Sequence, residues 1–383
     1  MNRKQLISTL VILLAIGLTI FLIMKKDSST WNSSQYSAAG DKMFADLDIN
    51  RISLITVSSG ANTATLKKSE DGSWSVAEKD SYPGDYKKIS EFLQWLPEIK
   101  TVQNMNVGKS QLEKLSLGEA DKGKGSATLV ELSDEKGGKM ASLLIGKKHA
   151  KKEENPNPMF GGASADGSYV MLCDGKFQPK LVNNSLEGAS TDPMQWTEKS
   201  MLEVENISGI EVARKNPEES WKMVKDAQGG KLSLADLKEG EIMDETKTQP
   251  VSSLFRYLSF KDVKACPAEF AGESLNISTS DGFRYEIKFA QKEGDPDKFQ
   301  LSIKATAAIP EQREAGKDEK PEDKKKFDKE FKAKADKLKE KLEREKLLGK
   351  WLYTVTRKDL DAVLKSRKDF LKSKDEKKEG APK

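Results

Sequence analysis

The sequence has very little of the chemistry that most enzyme and metal sites require. Its 383 residues include 1 histidine and 2 cysteines. A single histidine excludes a metal site built on two histidines, and Ser-His-Asp or Cys-His catalysis would have to use His149. Neither Cys173, in LCDG, nor Cys266, in KACP, lies in a sequence typical of a nucleophile. No pair of carboxylates stands out. We therefore predict no enzymatic activity, no metal and no cofactor, with an unrecognised hydrolase as a minor alternative.

The chain also lacks a strong excess of charge of either sign. Its 65 basic and 61 acidic residues give a net charge of +4. Nucleic-acid binding requires a concentrated basic face, so we predict no nucleic-acid partner. Mean hydropathy is −0.65, but the apolar residues cluster in runs, which indicates folded domains. The length exceeds what one hydrophobic core usually serves, so two domains are expected.

Two short segments resemble functional motifs but do not complete them. GEADKGKGS, residues 118–126, is similar to a phosphate-binding loop, in which Ser or Thr must follow the Gly-Lys pair. Here Gly125 follows Lys124, and we interpret the segment as a turn. His149, in GKKHAKKEENP, is interpreted as a loop residue.

One long uncharged run occurs, at the amino terminus. Residues 6–24 carry no charge, Arg3 and Lys4 precede them, and Lys25 and Lys26 follow. As a helix the run spans roughly 28 Å, close to the ~30 Å hydrocarbon core of a bilayer. It ends in FLIMKKD, without the small-x-small site of a cleaved signal peptide. We predict that residues 1–26 form a single-pass membrane anchor.

The position of the remaining chain follows from the orientation of this anchor. The basic flanks are nearly balanced, and the α-amino group favours an amino terminus inside the cell. Residues 27–383 are then predicted to lie outside the cytoplasm. Residues 27–44, rich in Ser, Asn and Ala, are predicted to be a linker, with Trp31 as an interfacial anchor.

After the linker the sequence predicts short strands and one helix. ISLITV, TATLKK and SWSVAE alternate in polarity and are separated by turn residues, which predicts an antiparallel meander. Ile89, Phe92 and Leu93 stand at helical spacing in YPGDYKKISEFLQWLPEI. QLEKLSLG is predicted to be a short helix, and SATLVELSD and KMASLLIGKK a hairpin across a Gly-Gly turn.

The second half of the chain repeats this order. ISGIEVARK repeats the opening strand, ESWKMVKDA places Trp221 where Trp74 stands, and QPVSSLFRYLSF repeats the helix. SLNISTSDGFRYEIKFA repeats the hairpin, and WLYTVTRKDLDAVLKSRKDFL is matched with SYVMLCDGKFQPKLV and the later EKSML. So many parallels in one order favour duplication over coincidence among generic strands.

The predicted fold class is α+β. A transmembrane helix precedes two repeated units with mainly antiparallel sheets and covering helices, and a charged helical arm is added. We predict a first unit over residues 45–203, a second unit over 204–371 with an inserted charged helix at 321–348, and a disordered tail over 372–383.

These elements together resemble a known bacterial family. The amino-terminal anchor, YPGDYKKISEFLQWL, QLEKLSLG, LLIGKK and the repeat are similar to a membrane-anchored family with a repeated domain of unknown function. Its members are often encoded beside gliding-motility-type ABC transporter permease genes. The resemblance covers most of residues 45–371 and brings no catalytic residues with it. It implies an extracytoplasmic accessory protein near a transporter or envelope machine. With the predicted anchor, it implies a single-pass protein of the bacterial inner membrane whose bulk is periplasmic.

The charged arm is the main departure from that pattern. In PEDKKKFDKEFKAKADKLKEKLEREKLLGK, Pro321 favours a helix start and Gly349 a helix stop. The helix carries one narrow apolar stripe, typical of a coiled-coil seam, which we treat as a possible partner-docking stripe. Its members are Phe327, Phe331, Leu338 and Leu342, with Ala335 between them. The alternative is a helix that lies along its own domain.

The cysteines and tryptophans leave alternatives open. In an oxidising periplasm Cys173 and Cys266 could form a disulfide, which would close a loop of about 90 residues and stabilise the fold by about 4–5 kcal/mol. Two buried free thiols are the alternative. The tryptophans could stack on sugars, although core packing is the more usual role of such residues. They are Trp74, Trp95, Trp196, Trp221 and Trp351.

The functional expectation is a non-enzymatic, membrane-anchored accessory or scaffold protein. The family resemblance implies an ABC-type permease or another envelope protein as its partner. The alternative is a module that binds envelope glycan or another ligand.

Overall fold

The computed structural model describes residues 40–118, 127–150, 165–200, 202–225, 230–314 and 320–372. The predicted anchor, Trp31, most of the segment 118–126 and the tail after residue 372 lie outside these ranges. Within them, no helix is both long and apolar enough to cross a membrane.

Strands dominate the described residues, which confirms an α+β fold with two mainly antiparallel sheets and few helices. The strands of the first half are β1 Ile52–Ser59, β2 Asn62–Lys68, β3 Trp74–Val76, β4 Tyr82–Pro83, β5 Thr101–Asn104, β6 Thr128–Asp134, β7 Lys139–Ala150, β8 Ala165–Leu172 and β9 Lys180–Val182. Those of the second half are β10 Ile207–Ala213, β11 Trp221–Lys225, β12 Leu232–Leu234, β13 Asp262–Ala265, β14 Glu273–Thr279, β15 Phe283–Lys292, β16 Asp295–Ala307 and β17 Trp351–Thr356. The α-helices are α1 Tyr86–Trp95, α2 Gln249–Tyr257, α3 Pro321–Lys346 and α4 Asp361–Leu364.

The chain divides into two compact units. The first contains the described residues up to Trp74 together with Tyr86–Trp196, and the second contains Ser75–Asp85 together with the described residues from Thr197 onward. Ser75–Asp85 fall within the predicted first repeat unit, residues 45–203. Burial of Tyr82 accounts for the difference, because its ring is 3% exposed inside an aromatic cluster of the second unit. Its ring centroid lies 5.6 Å from that of Phe260 and 5.1 Å from that of Trp351.

The two sheets share one strand order. The first sheet runs β4-β3-β2-β1-β6-β7-β8-β9-β5, and the second runs β12-β11-β10-β14-β15-β16-β17-β13. Apart from β4, each strand of the first sheet has a counterpart at the same place in the second. A shared order of eight strands is improbable among unrelated sheets, so it supports the duplication hypothesis.

A β-bulge recurs at the same point in both sheets. Pairing of β1 with β6 shifts register between Ile52 and Leu54, and pairing of β10 with β14 shifts between Ile207 and Gly209. These positions align when ISLITV is laid on ISGIEV. An extra residue in one strand bends it and increases its twist, so both opening strands are bent alike.

Of the detailed matches between the halves, one is wrong and one holds only in part. Val212 pairs with Trp221 as Val57 pairs with Ala64, so Trp221 corresponds to Ala64 and not to Trp74. WLYTVT is β17, whose counterpart is β9, the KLV at the end of SYVMLCDGKFQPKLV, whereas SYVMLC belongs to β8. The turns between the strands differ in length in the two halves, so matching by sequence shifts the alignment. Corresponding strands are identified by their pairing partners and not by their composition.

The helices bury the residues that their spacing predicts. On α1, Ile89, Phe92 and Leu93 are buried, and on α2 so are Val251 and Phe255. The segment QLEKLSLG forms a 3-10 helix, Lys109–Leu115, rather than an α-helix. It ends at Ser116, whose left-handed φ of 54° stops the helix two residues before Gly118.

The carboxyl-terminal segment is held by an aromatic contact. Phe370 is fully buried, and its ring centroid lies 5.0 Å from that of Trp221. The indole Nε1 of Trp221 donates a hydrogen bond to the carbonyl oxygen of Lys365 at 2.9 Å. The end of the described chain is therefore part of the core of the second unit.

This packing predicts the effect of truncating Phe370. The variant Phe370→Ala is expected to lower the free energy of unfolding by about 3–5 kcal/mol, because it removes a ring and leaves a cavity. Phe177 is 38% exposed, and Phe177→Ala is expected to change it by about 0.5 kcal/mol or less. Urea unfolding of the full-length protein in detergent, followed by tryptophan fluorescence, measures both. Equal losses from the two variants would contradict the assignment of Phe370 to the core.

Candidate partner-binding surface

The charged arm is a long helix, as its sequence predicts. Helix α3 begins at Pro321 and ends at Lys346, where a 3-10 turn, Leu347–Lys350, leads into β17. At 1.5 Å per residue it is roughly 39 Å long. Its two halves lie in different surroundings.

The carboxyl-terminal half of α3 is fixed to its own sheet. It packs against β16, and Ala335 is buried there. The Tyr285 hydroxyl, on β15, donates a hydrogen bond to Oε2 of Glu345 at 2.8 Å. The Lys341 Nζ lies 4.9 Å from the ring centroid of Phe283 and 3.8 Å from the carboxylate of Glu345. A hydrogen bond and a cation–π contact thus hold this half in place.

Burial sets the electrostatics of this attachment. Desolvation raises the pKa of the Glu345 carboxyl above its ordinary value, although the Tyr285 hydrogen bond acts in the opposite direction. Desolvation, together with the nearby charge of Glu345, also raises the pKa of the Tyr285 hydroxyl. The charged form of Glu345 is therefore less favourable here than in water.

The amino-terminal half of α3 is open to solvent. Residues 323–330 are all exposed, and the Phe327 side chain is 43% exposed. The Arg313 guanidinium lies 5.6 Å from the Phe327 ring centroid and 3.0 Å from an oxygen of Asp328. A neighbouring loop thus contacts this half from the side and leaves Phe327 accessible.

The predicted docking stripe is therefore divided. Leu338 and Leu342 are partly buried on the half that lies along its own domain. Phe327 is exposed and Phe331 partly exposed on the other half. The interpretation as a helix along its own domain fits the carboxyl-terminal half, and docking of a partner stays a prediction for the amino-terminal half.

Lysines outnumber acidic residues in the sequence around Phe327 and Phe331. Over residues 323–334 the basic side chains are Lys324, Lys325, Lys326, Lys329, Lys332 and Lys334, and the acidic ones are Asp323, Asp328 and Glu330. The excess of positive charge favours an acidic partner surface.

Both cysteines are free thiols in the structure, so the disulfide between Cys173 and Cys266 is not formed. Cys173 is exposed and Cys266 is intermediate, so the two thiols are not both buried either. Burial raises the pKa of the Cys266 thiol, which makes it a weaker nucleophile.

The interpretation of His149 as a loop residue is wrong. It lies in β7, paired with Gly167 of β8, because this strand continues to residue 150. Its Nδ1 lies 2.7 Å from Oδ1 of Asp166, and its ring centroid lies 6.0 Å from that of Tyr169.

The tryptophans are mostly core residues. Trp74, Trp196 and Trp221 are buried, which confirms the packing interpretation for them. Trp351 is partly exposed and Trp95 is 45% exposed.

The described ranges hold no group of three His, Cys, Asp or Glu side chains placed to bind a metal ion. An open groove of about 780 Å³ lies between α2 and the segment after β17. Its lining includes Ser253, Leu254, Asp297, Arg357 and Asp361, whose charges have both signs.

Sequence reasoning missed an ion-pair cluster near the carboxyl terminus. The Arg367 guanidinium donates two hydrogen bonds to the carboxylate of Glu241, at 3.0 and 2.6 Å. It also donates to the carboxylate of Asp236 at 2.9 Å and to the backbone carbonyl oxygen of Asp236 at 2.8 Å. This bidentate contact lowers the pKa of Glu241 to about 2. The residues lie far apart in sequence, so no local pattern signals the contact.

The environment of Glu345 predicts a pH effect. A carboxyl whose pKa is raised in the fold is destabilising when ionised, so this contribution weakens the fold as pH rises from about 4.5 through the raised pKa. Glu345→Gln keeps an acceptor for Tyr285 and removes the charge. We expect the variant to lose this pH dependence and to be at least as stable as the parent at pH 7. The exposed Glu340 gives a control, Glu340→Gln. A less stable Glu345→Gln in urea unfolding at pH 7 would count against this account.

For Glu241 we predict the opposite pH dependence of stability. Its lowered pKa gives stability that is present above about pH 4.5 and is lost as pH falls toward about 2. Glu241→Gln is therefore expected to be less stable than the parent at pH 7, with a difference that shrinks over this window. The exposed Glu239 supplies the matched control, Glu239→Gln. Thermal unfolding at several pH values tests this, and a difference independent of pH would disprove it.

Comparison with known proteins places the chain in a family. Residues 74–273, more than half of the chain, match the family described as Domain of unknown function (DUF4340). The matched range begins in β3 and ends at the first residue of β14, so it includes parts of both units. No curated protein and no solved structure matches the chain. Because the match covers more than half of its length, the chain belongs to the DUF4340 family.

Proposed function

We propose that this chain is a non-enzymatic, single-pass membrane protein that acts outside the cytoplasm as an accessory or scaffold component of an envelope complex. An ABC-type export or gliding-like complex is the proposed partner. The single observation that carries the proposal is the exposed amino-terminal half of α3, with Phe327 accessible, on a helix whose other half is fixed. The uncharged run at residues 6–24 and the family resemblance support the membrane and the transporter.

Because its carboxyl-terminal half is fixed to the sheet, helix α3 can bind a partner more readily through its amino-terminal half. A helix that is already ordered loses little conformational entropy when a partner docks, so more of the contact energy appears as affinity. Aromatic side chains such as the exposed Phe327 and the partly exposed Phe331 can fill pockets on a partner and supply most of the binding energy. The surrounding lysines can speed association with an acidic partner.

Affinity purification of the tagged full-length protein from detergent extracts tests the proposal. We expect a permease and an ATPase to co-purify with the parent chain. The double variant Phe327→Ala/Phe331→Ala is expected to lower their recovery by about tenfold or more, because two aromatic anchors are lost. Leu347, which is 49% exposed, follows the same helix, and Leu347→Ala serves as a control that should leave recovery unchanged.

The outcomes separate the two parts of the proposal. If the transporter components co-purify equally with both variants, α3 is not the docking element, although the accessory role stands. If neither a permease nor an ATPase is recovered with the parent chain, the proposed transporter association is wrong.

A second proposal is an envelope glycan- or ligand-binding module. Its support is the exposure of aromatic side chains on α1, where Tyr86 is 64% and Trp95 45% exposed. These two residues are nine positions apart, which puts them on opposite sides of the helix, so they do not form one stacking platform. The first proposal therefore has more support.

A further inference from the structure

Helix α3 carries a line of charged residues on a side that its own sheet does not cover. Ala335, Leu338 and Leu342 mark the covered side. At about 100° per residue, the line lies about 120° round the helix from them. We call it the outer stripe, and its six members are all exposed: Lys325, Lys329, Lys332, Asp336, Glu340 and Glu343.

The outer stripe is basic in its amino-terminal half and acidic in its carboxyl-terminal half. The lysines are spaced by steps of four and three residues, and so are the carboxylates, which keeps each set on one side of the helix. Glu343 lies 2.7 Å from Lys346. The other five members of the stripe have no ion-pair partner within the described ranges. Their charges are therefore available to another molecule.

We propose that the outer stripe pairs antiparallel with the outer stripe of a second copy of the chain. A twofold axis brings a surface against itself, so such a surface has to complement itself. With the axis level with Lys334, each lysine of the stripe faces a carboxylate of the second copy. The contacts are Lys325–Glu343, Lys329–Glu340 and Lys332–Asp336, each made twice. A parallel pair would instead place lysine against lysine.

Charged residues beside the stripe are compatible with this register. Lys326 and Arg344 lie about 80° round the helix from the middle of the stripe, outside the contact. Arg344 also lines a groove of its own unit together with Glu203. Lys339 is closer, at about 60°, and comes opposite the second copy's Asp328.

The small size of the stripe makes the pairing weak. From Lys325 to Glu343 it is roughly 27 Å long, and at about 10 Å of width it offers roughly 270 Å² per copy. Two copies then bury on the order of 500 Å², less than a stable interface requires. Exposed ion pairs contribute little each and are screened by salt. The pairing is therefore transient, and it is strongest at high protein concentration and low salt.

A cysteine placed near the axis can trap this pairing. In full-length Cys173→Ser/Cys266→Ser protein in detergent, the exposed Ala333 is changed in Ala333→Cys. A short bis-maleimide is expected to link this position to its equivalent in the second copy. Leu347→Cys is the matched control, because Leu347 is 49% exposed but lies far from the axis. Its two copies are roughly 39 Å apart in this register, so it reports only random collisions.

Reversal of charge tests the contacts themselves. In the Ala333→Cys background, Lys325→Glu/Lys329→Glu is expected to lower the cross-linked dimer by about tenfold or more, because like charges then meet. Addition of Glu340→Lys/Glu343→Lys to the same chain exchanges the signs and is expected to restore it. Circular dichroism checks that each variant is folded.

Two further measurements separate the stripe from net charge. Lys288→Glu/Lys304→Glu makes the same change of charge at exposed positions of the second sheet and is expected to leave the cross-linked dimer unchanged. An increase of salt from about 50 to about 500 mM is expected to lower the dimer of the parent stripe. The salt series also decides the question if a charge-reversed variant does not fold.

Each outcome decides for or against the second copy. Loss of the dimer in Lys325→Glu/Lys329→Glu and its recovery on exchange of signs support the proposal. Absence of a cross-link at Ala333→Cys, an equal cross-link at Leu347→Cys, or a dimer insensitive to salt overturns it. Persistence of the dimer in folded Lys325→Glu/Lys329→Glu, or no recovery on exchange, also overturns it. Phe327 and Phe331 are unchanged throughout, so these results are independent of whether α3 binds a transporter.

Discussion

The alternation of side chains along each strand is the constraint on which this structure depends. One face of each antiparallel sheet has to be buried, and Ile55, Val57, Ile210 and Val212 show where that face lies. Because successive side chains point to opposite sides, the other face carries no packing requirement. The covered faces of the two sheets have therefore stayed apolar.

A second constraint governs α3. A helix with a narrow apolar stripe has too little apolar surface to be stable alone in water, so it requires tertiary contacts along part of its length. Those contacts are supplied by β15 and β16, through Tyr285 with Glu345 and Phe283 with Lys341. Once these contacts order the helix, its amino-terminal half, including Phe327, is held in a defined direction. The same apolar stripe thus packs α3 against its sheet at one end and exposes Phe327 to solvent at the other.

Prediction from sequence succeeded where the signal was local. The hairpin across a Gly-Gly turn, the buried positions Ile89 and Phe92, and the start of α3 at Pro321 all follow from spacing, turn residues and helix-start signals. It failed where the position of a residue depends on which distant segment it pairs with. The position of Trp221 in ESWKMVKDA predicts a match with Trp74, but pairing places Trp221 opposite Val212, where Ala64 stands opposite Val57. The ion pair of Arg367 with Glu241 had no local signal at all.

The sequence by itself determined the α+β class, the order of hairpins and helices, and the scarcity of residues for metal or nucleophilic chemistry. These depend on composition and short-range periodicity, which are properties of the chain. Only the tertiary structure decided which strands pair, which half of α3 is covered, and that Ser75–Asp85 clusters with the second unit. These depend on which distant segments meet, and burial of a side chain such as Tyr82 is settled by the surfaces that surround it.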